Sequence, residues 1–244
     1  MSGARSDGPL AGRTAVVTGA TRGIGRAIAQ RLVAHGARVI GTGRGTEGAG
    51  LEGVEHRVLD LADEPATRAF ADALRAEAPD ILVNNAGINR LGPFEAIDDA
   101  TFLALQRINL VAPMALCRAV LPAMRARRWG RIVNVASIWS LRSISGRAAY
   151  SASKFGLDGA TAALAAEVAV DDVLANCVSP GFVDTELLRS VNTPEQIETL
   201  AAGVPMRRLA RPEEIAALVA WLTGPENTYL SGQNIAIDGG YTRT

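Results

Sequence analysis

Tyr150 and Lys154 stand four residues apart, a spacing that on a helix sets an ammonium one turn from a phenol on the same face. A free phenol has a pKa near ~10 and keeps its proton at neutral pH. Lowering that pKa by about three units takes roughly 4 kcal/mol of differential stabilisation of the phenolate. A neighbouring ammonium in a poorly solvated cleft supplies that order of energy, and an exposed one does not. The pair is therefore a candidate proton donor and acceptor. Ser137 adds a hydroxyl suited to hold a carbonyl or alcohol oxygen while Tyr150 passes the proton. The plain alternative is a tyrosine and a lysine on a solvated face, and the spacing alone does not separate the two.

A second constellation lies near the start of the chain. Thr14–Thr18 is a short apolar run of the kind a buried parallel strand shows, and Gly19-Ala20-Thr21-Arg22-Gly23-Ile24-Gly25 follows at once, ahead of an alanine-rich helical stretch, Arg26–His35. Glycines at a strand-to-helix turn let the backbone approach a pyrophosphate, whose charge sits at the helix N-terminus. A second strand, Arg38–Thr42, runs out into Gly43-Arg44-Gly45. In dinucleotide folds the end of this strand meets the adenosine ribose, where an acid accepts from a 2′-hydroxyl and an arginine accommodates a 2′-phosphate. Here Arg44 is present and an acid is not, and Arg22 adds a second cation. That favours NADP(H) over NAD(H), unless both arginines are simply surface residues.

The remaining chemistry-bearing residues need elements that deliver them to the same edge. Glu55–Leu59 reads as a third strand, with Asp60 and Leu61 beyond it and Asp60 placed to take an adenine amino hydrogen. Pro65–Glu77 reads as a helix with its proline in the first turn. Asp80–Val83 is the fourth strand and runs into Asn84-Asn85-Ala86-Gly87, good turn formers at a position where open sheets bind ligands. Asp98–Arg127 carries a long helical pattern, with bends expected at Pro113 and Pro122. Asn109 lies inside it and calls for a hydrogen-bond partner. Arg131–Val135 delivers Ser137, Tyr150–Val168 is the next helix, and Val173–Val178 precedes Pro180-Gly181. A helical excursion near 186–206, a helix at Pro212–Leu222 and a last strand at Gln233–Asp238 complete the chain. The alternation predicts an α/β fold: one Rossmann-type, doubly wound domain over residues 12–244, with about seven parallel strands flanked by helices and a flexible N-terminus at 1–11.

Composition narrows the class. The 25 basic and 25 acidic residues cancel, so no large field favours nucleic acid or an anionic membrane. The first twelve residues lack a secretory apolar block, and no uninterrupted apolar run approaches a membrane span, which points to a cytoplasmic protein. Cys117 and Cys177 sit in apolar surroundings and read as free buried thiols, while His35 and His56 lack the clustered partners of a metal site.

Taken together, Thr18-Gly19-x-x-x-Gly23-x-Gly25, Asn84-Asn85-Ala86-Gly87, Asn109, Ser137, Tyr150-x-x-x-Lys154 and Pro180-Gly181 resemble the short-chain dehydrogenases/reductases, in the single-domain branch that includes 3-oxoacyl carrier-protein reductases. The resemblance covers residues 11–244. It implies that Tyr150 is the general acid/base, that Lys154 lowers its pKa and holds the nicotinamide ribose, that Ser137 orients the substrate oxygen, and that Asn109 holds a water in a proton relay to Lys154. It also implies that Asn85, Ala86 and Gly87 line the cofactor, that Val183 and Thr185 meet the carboxamide, and that related chains pair helices into dimers or tetramers. The adenosine-side segment Gly45–Gly53 is short and glycine-rich, which departs from the pattern. Substrate contacts are expected from Trp139, Phe182, Leu187, Leu188 and Met206. Trp139, Arg142 and Arg147 suggest a pocket wall with an aromatic face; the arginines fit either a cation for an acidic or phosphorylated substrate, or ordinary solvation and subunit contact. The expected activity is exchange between a secondary alcohol and a ketone. The rivals are an NAD-dependent sugar or polyol dehydrogenase, a non-catalytic redox sensor, and a sugar-nucleotide epimerase, whose larger substrate domain this chain lacks.

Overall fold

The computed structural model describes residues 8–46, 50–190 and 192–244. Seven strands, β1 (Thr14–Val17), β2 (Arg38–Gly43), β3 (Val54–Val58), β4 (Ile81–Asn84), β5 (Gly130–Val135), β6 (Val173–Pro180) and β7 (Asn234–Ile237), form one sheet in the order β3-β2-β1-β4-β5-β6-β7. Every pairing in it is parallel. Parallel strands need crossovers, and the crossovers here are helices that cover both faces.

The strand sequences show why both faces are dry. Side chains alternate across a strand, so Ala15 and Val17 of β1, Val39 of β2 and Ile81 and Val83 of β4 face one layer, together with Ile28 and Leu32 of α1 (Gly23–Ala34) and Ile215 and Val219 of α8 (Pro212–Thr223). Val16, Ile40, Leu82 and Ile132 face the other, against Phe70 and Leu74 of α2 (Glu64–Glu77), Leu116 and Val120 of α4 (Ala112–Ala126) and Val168 of α5 (Ala148–Val168). Each fully buried aliphatic side chain contributes about 1.5–3 kcal/mol, and these two layers seat the sheet against its helices. The winding reverses between β1 and β4, which opens a crevice above their carboxyl ends.

Two details differ from expectation. The Asp98–Arg127 helix is broken ahead of its prolines: α3 (Asp99–Gln106) passes through a π turn, Arg107–Val111, into α4. Pro113 has no N–H to offer the carbonyl of Asn109 four residues back, and a widened turn accommodates that loss. Asp99–Ala126 makes a 28-residue helical run that is long and apolar enough by length and composition to cross a membrane; Arg107, Arg118 and Arg125 interrupt it, and the inner face of α4 lies on the sheet. Leu10, inside the segment expected to be loose, is fully buried and its N–H donates to the His35 carbonyl at 2.9 Å. Residues 1–7 of that segment, and 47–49 of the adenosine-side loop, lie outside the described residues. The 186–206 excursion consists of α6 (Glu186–Ser190) and α7 (Pro194–Gly203), the latter closed by a Thr193–Gln196 capping box.

Candidate active site

The carboxyl ends of β1, β4, β5 and β6 converge on the crevice, and the start of α5 closes it. Thr18 and Asn85 tie the first two together. The Thr18 hydroxyl accepts from the N–H groups of Asn85 and Ala86, both at 3.0 Å, and the Asn85 amide donates to the carbonyls of Thr18 and Gly19 at 2.9 and 3.1 Å. The glycine loop is packed hard against this clamp. A Cβ on Gly25 would lie 2.0 Å from the Gly19 carbonyl oxygen and 2.4 Å from the Asn85 amide nitrogen, and Gly19 holds φ +65°, where a side chain is strained.

Asn109, fully buried in the π turn, finds the partner the sequence called for. Its side chain accepts from Ile88 N–H at 2.9 Å and donates to the Ile88 carbonyl at 2.9 Å and to Ser153 Oγ at 3.0 Å. Gly87 leaves room for the group beside it: a Cβ there would sit 3.2 Å from Asn109 Oδ1 and 3.6 Å from Lys154 Nζ. Lys154 is buried and donates to the Val135 carbonyl at 2.8 Å, with Nζ 5.8 Å from the centre of the Tyr150 ring.

Burial pushes the Tyr150 phenol up from its ordinary value; Ser137, directed at the hydroxyl, and the charge of Arg147 oppose the rise. Burial pushes Lys154 down to about 8. Lys154 gives one of its three donors to a strand carbonyl, and burial disfavours the charged form of both members of the pair. Ser137 Oγ also accepts from Trp139 N–H at 3.3 Å.

The cofactor candidates fall into two groups. Gly19, Thr21, Arg22, Gly23, Ile24 and Gly25 surround the N-terminus of α1, which has no side-chain cap and no acidic residue in its first turn. That leaves its N–H donors free for an anion. Arg44 is exposed at the end of β2, whereas Arg22 is within 3.9 Å of Glu186. Asp60 is exposed and accepts from Ala62 N–H at 2.9 Å. Leu61 and Val183 are buried. Gly181 donates to the Ile237 carbonyl at 3.0 Å, just past Pro180, and Thr185 lies beside Gly23.

The proposed substrate residues do not behave alike. Trp139 and Phe182 are buried in an aromatic trio with Tyr241, their ring centres 5.0 to 6.4 Å apart and edge to face. Leu188 packs on this cluster, while Leu187 and Met206 are exposed. The Cζ atoms of Arg147 and Arg142 stand 4.8 Å from the Trp139 ring centre and 5.8 Å from that of Tyr241. A hollow of about 560 Å³ is lined by Trp221, Tyr229 and their neighbours and includes none of the candidate residues.

A family profile described as enoyl-(acyl carrier protein) reductase matches residues 19–242. A 3-oxoacyl-acyl-carrier-protein reductase of Vibrio cholerae is 38% identical over 95% of this chain and 98% of its own. This chain belongs to the short-chain dehydrogenases/reductases. A solved structure provisionally named an NAD(P)-dependent gluconate 5-dehydrogenase, from Beutenbergia cavernae with bound NADP, superposes with a TM-score of 0.90 at 38% identity, covering 96% of this chain and 98% of that one. Another, provisionally named a gluconate dehydrogenase, from Agrobacterium tumefaciens, gives 0.91 at 31% identity over 96% and 98% of the two chains.

As a short-chain dehydrogenase/reductase this is an oxidoreductase of the NAD(P)-binding, ketoreductase type. Sequence reasoning missed several residues that shape its crevice. Ser140 Oγ donates to the Ser137 carbonyl at 2.6 Å and meets Ser179 Oγ at 3.0 Å, and Asn234 on β7 bonds to both serines. Ser153 Oγ donates to the Tyr150 carbonyl at 2.7 Å. Thr18 stood in the quoted motif without a role, and Tyr241 carried no local signal.

Proposed function

We propose that the protein is an NADP(H)-dependent oxidoreductase that interconverts a secondary alcohol and a ketone, with Tyr150 as general acid/base. The observation that carries the reading is Tyr150 beside Ser137 at the crevice where the winding reverses, with Lys154 and Asn109 converging on Gly87. When bound, the nicotinamide supplies or accepts the hydride. Ser137 holds the substrate oxygen, and Tyr150 gives that oxygen a proton in reduction and takes it back in oxidation. Lys154 and Asn109 relay the proton, toward the phenol in reduction and away from it in oxidation, and Lys154 with Tyr150 holds the nicotinamide ribose. General acid catalysis of this kind contributes about 10²–10⁴ in rate.

The residues present fit a dinucleotide. The uncapped N-terminus of α1 receives the pyrophosphate within Gly19–Gly25. Asp60 and Leu61 flank the adenine, Asn85, Ala86 and Gly87 line the ribose side, and Pro180, Gly181, Val183 and Thr185 face the carboxamide. Arg44 and Arg22 favour the 2′-phosphate, and the NADP named with the Beutenbergia cavernae structure supports that preference. The relatives' names point to two substrate classes, 3-oxoacyl thioesters and sugar acids. Residues 12–244 act as one catalytic unit, in the cytoplasm, as a dimer or tetramer. Exposed Phe102, Leu103, Val111 and Phe155 on neighbouring helices favour such pairing.

The test is a panel of ketones and alcohols followed by nicotinamide absorbance with each dinucleotide. Wild type should turn over part of the panel faster with NADP(H), and Tyr150→Phe should lose about 10²–10⁴ in kcat while still binding dinucleotide. Retained turnover in Tyr150→Phe removes the mechanism; dinucleotide binding without turnover anywhere in the panel leaves a redox sensor instead.

A further inference from the structure

Arginines withdrawn from solvent are normally engaged, because a guanidinium brings five donors that water no longer satisfies. In this fold Arg13 pairs with Asp80, Arg57 with Glu55 and Glu77, and Arg107 with Glu64; Arg127 and Arg131 donate to backbone carbonyls. Arg147 stands apart. Among the described residues it is the one arginine that is not exposed and whose guanidinium has neither a carboxylate nor a hydrogen-bond acceptor. Its Cζ lies 4.8 Å from the centre of the Trp139 ring, a cation–π contact that recovers part of the lost hydration and none of the lost hydrogen bonds.

Its location gives that deficit a meaning. Arg147 immediately precedes α5, three residues before Tyr150, and its charge is felt at the phenol. The adjoining loop after β4 is fastened to the same segment by Gly92 N–H donating to the Gly146 carbonyl at 3.1 Å. In that loop Asn89 Oδ1 is buried with no donor. Unsatisfied donors and an unsatisfied acceptor therefore occur in two segments that this hydrogen bond joins, one of them leading directly into the proton-transfer residue.

We propose that Arg147 is a specificity-determining residue that binds an oxyanion, a carboxylate or a phosphate, carried by the substrate close to the reacting carbonyl or alcohol. A planar fork of donors takes two oxygens of such a group at once, and a site short of water makes the contact selective. The inference rests on the alcohol–ketone reading and narrows its substrate to anionic compounds.

The experiment compares matched pairs that differ in charge: acetoacetate with methyl acetoacetate, gluconate with sorbitol, and dihydroxyacetone phosphate with dihydroxyacetone. Each is assayed for kcat/KM with NADP(H) and titrated calorimetrically, the ketones into enzyme loaded with NADP⁺ and the alcohols into enzyme loaded with NADPH, so that binding is read without turnover. Wild type is expected to favour the charged member of at least one pair, and the pair that responds identifies carboxylate or phosphate. Arg147→Gln should lower the charged-to-neutral ratio by roughly 30-fold or more, as loss of one partner of a desolvated charge pair does, and Arg147→Lys should restore part of it. Equal losses for both members, with a displaced pH profile, would mean that Arg147 only tunes Tyr150 and would overturn the proposal. So would the absence of charge-selective binding in wild type. Charge-selective binding that Arg147→Gln abolishes, without turnover of any pair, upholds the anion site and removes the alcohol–ketone reading alone.

Discussion

Lys154 is the only lysine in the chain; every other basic residue of the 25 is an arginine. An arginine at this position would stay charged under any condition the protein meets, whereas a buried ammonium can give up its proton. Its pKa of about 8 states what that capacity costs the fold. Relative to an ordinary lysine near ~10.5 the depression is equivalent to about 3 kcal/mol. Below pH 8 both folded and unfolded chains hold the proton and the whole penalty is present. As pH rises from 8 to 10.5 the folded chain releases the proton first, the unfolded chain binds more, and stability increases. Urea unfolding across that range should therefore move wild type upward relative to Lys154→Met by about 3 kcal/mol; parallel curves would show that the amine is solvated. Lys154→Met also leaves the Val135 carbonyl without its donor, so the variant gains little stability at pH 7 while losing turnover.

At the scale of elements, the π turn matters because it sets Asn109 against the loop that follows β4. Asn109→Ala strips partners from both backbone groups of Ile88 and from Ser153. The expected loss is about 3 kcal/mol, with faster amide exchange at Ile88. A loss under about 1 kcal/mol would show that the clamp is dispensable. The strands were legible from sequence because runs such as Ala15-Val16-Val17 and Ile81-Leu82-Val83 have no surface to spare, and the glycine loop because strand, turn and helix follow without a gap. The π turn was not, since nothing near Asn109 in sequence announces that its partner is Ile88. Nor was Arg147's isolation, which depends on which carboxylates fail to reach it. The upward push of burial on Tyr150 was not legible for a related reason. Helical spacing brings Lys154 to the same face but does not say how far either group is withdrawn from water.

The whole molecule presents an unpartnered apolar surface along α3, the π turn and α5, where Phe102, Leu103, Val111 and Phe155 are exposed and Gly159 opens onto empty space. Phe155→Asp changes a half-exposed side chain, for which about 0.5 kcal/mol or less of fold stability is at stake. If two copies pair through this face, the substitution should nevertheless shift sedimentation toward a single chain; a wild type that sediments as a monomer would rule out pairing through this face. The sheet order was readable only as a class, because the register of seven strands follows from how the crossovers pack rather than from any one strand. The aromatic trio joins the loop after β5, the loop after β6 and the turn at Tyr241. Its indole is one of three in the chain. Trp129 lies between the cations of Arg13 and Arg131 at the amino edge, 3.8 and 4.6 Å away, and Trp221 is on the outer surface. Neither touches the crevice, so a ligand that presses on the wall alters the emission of Trp139 against two steady backgrounds, and the protein carries its own optical gauge of occupancy.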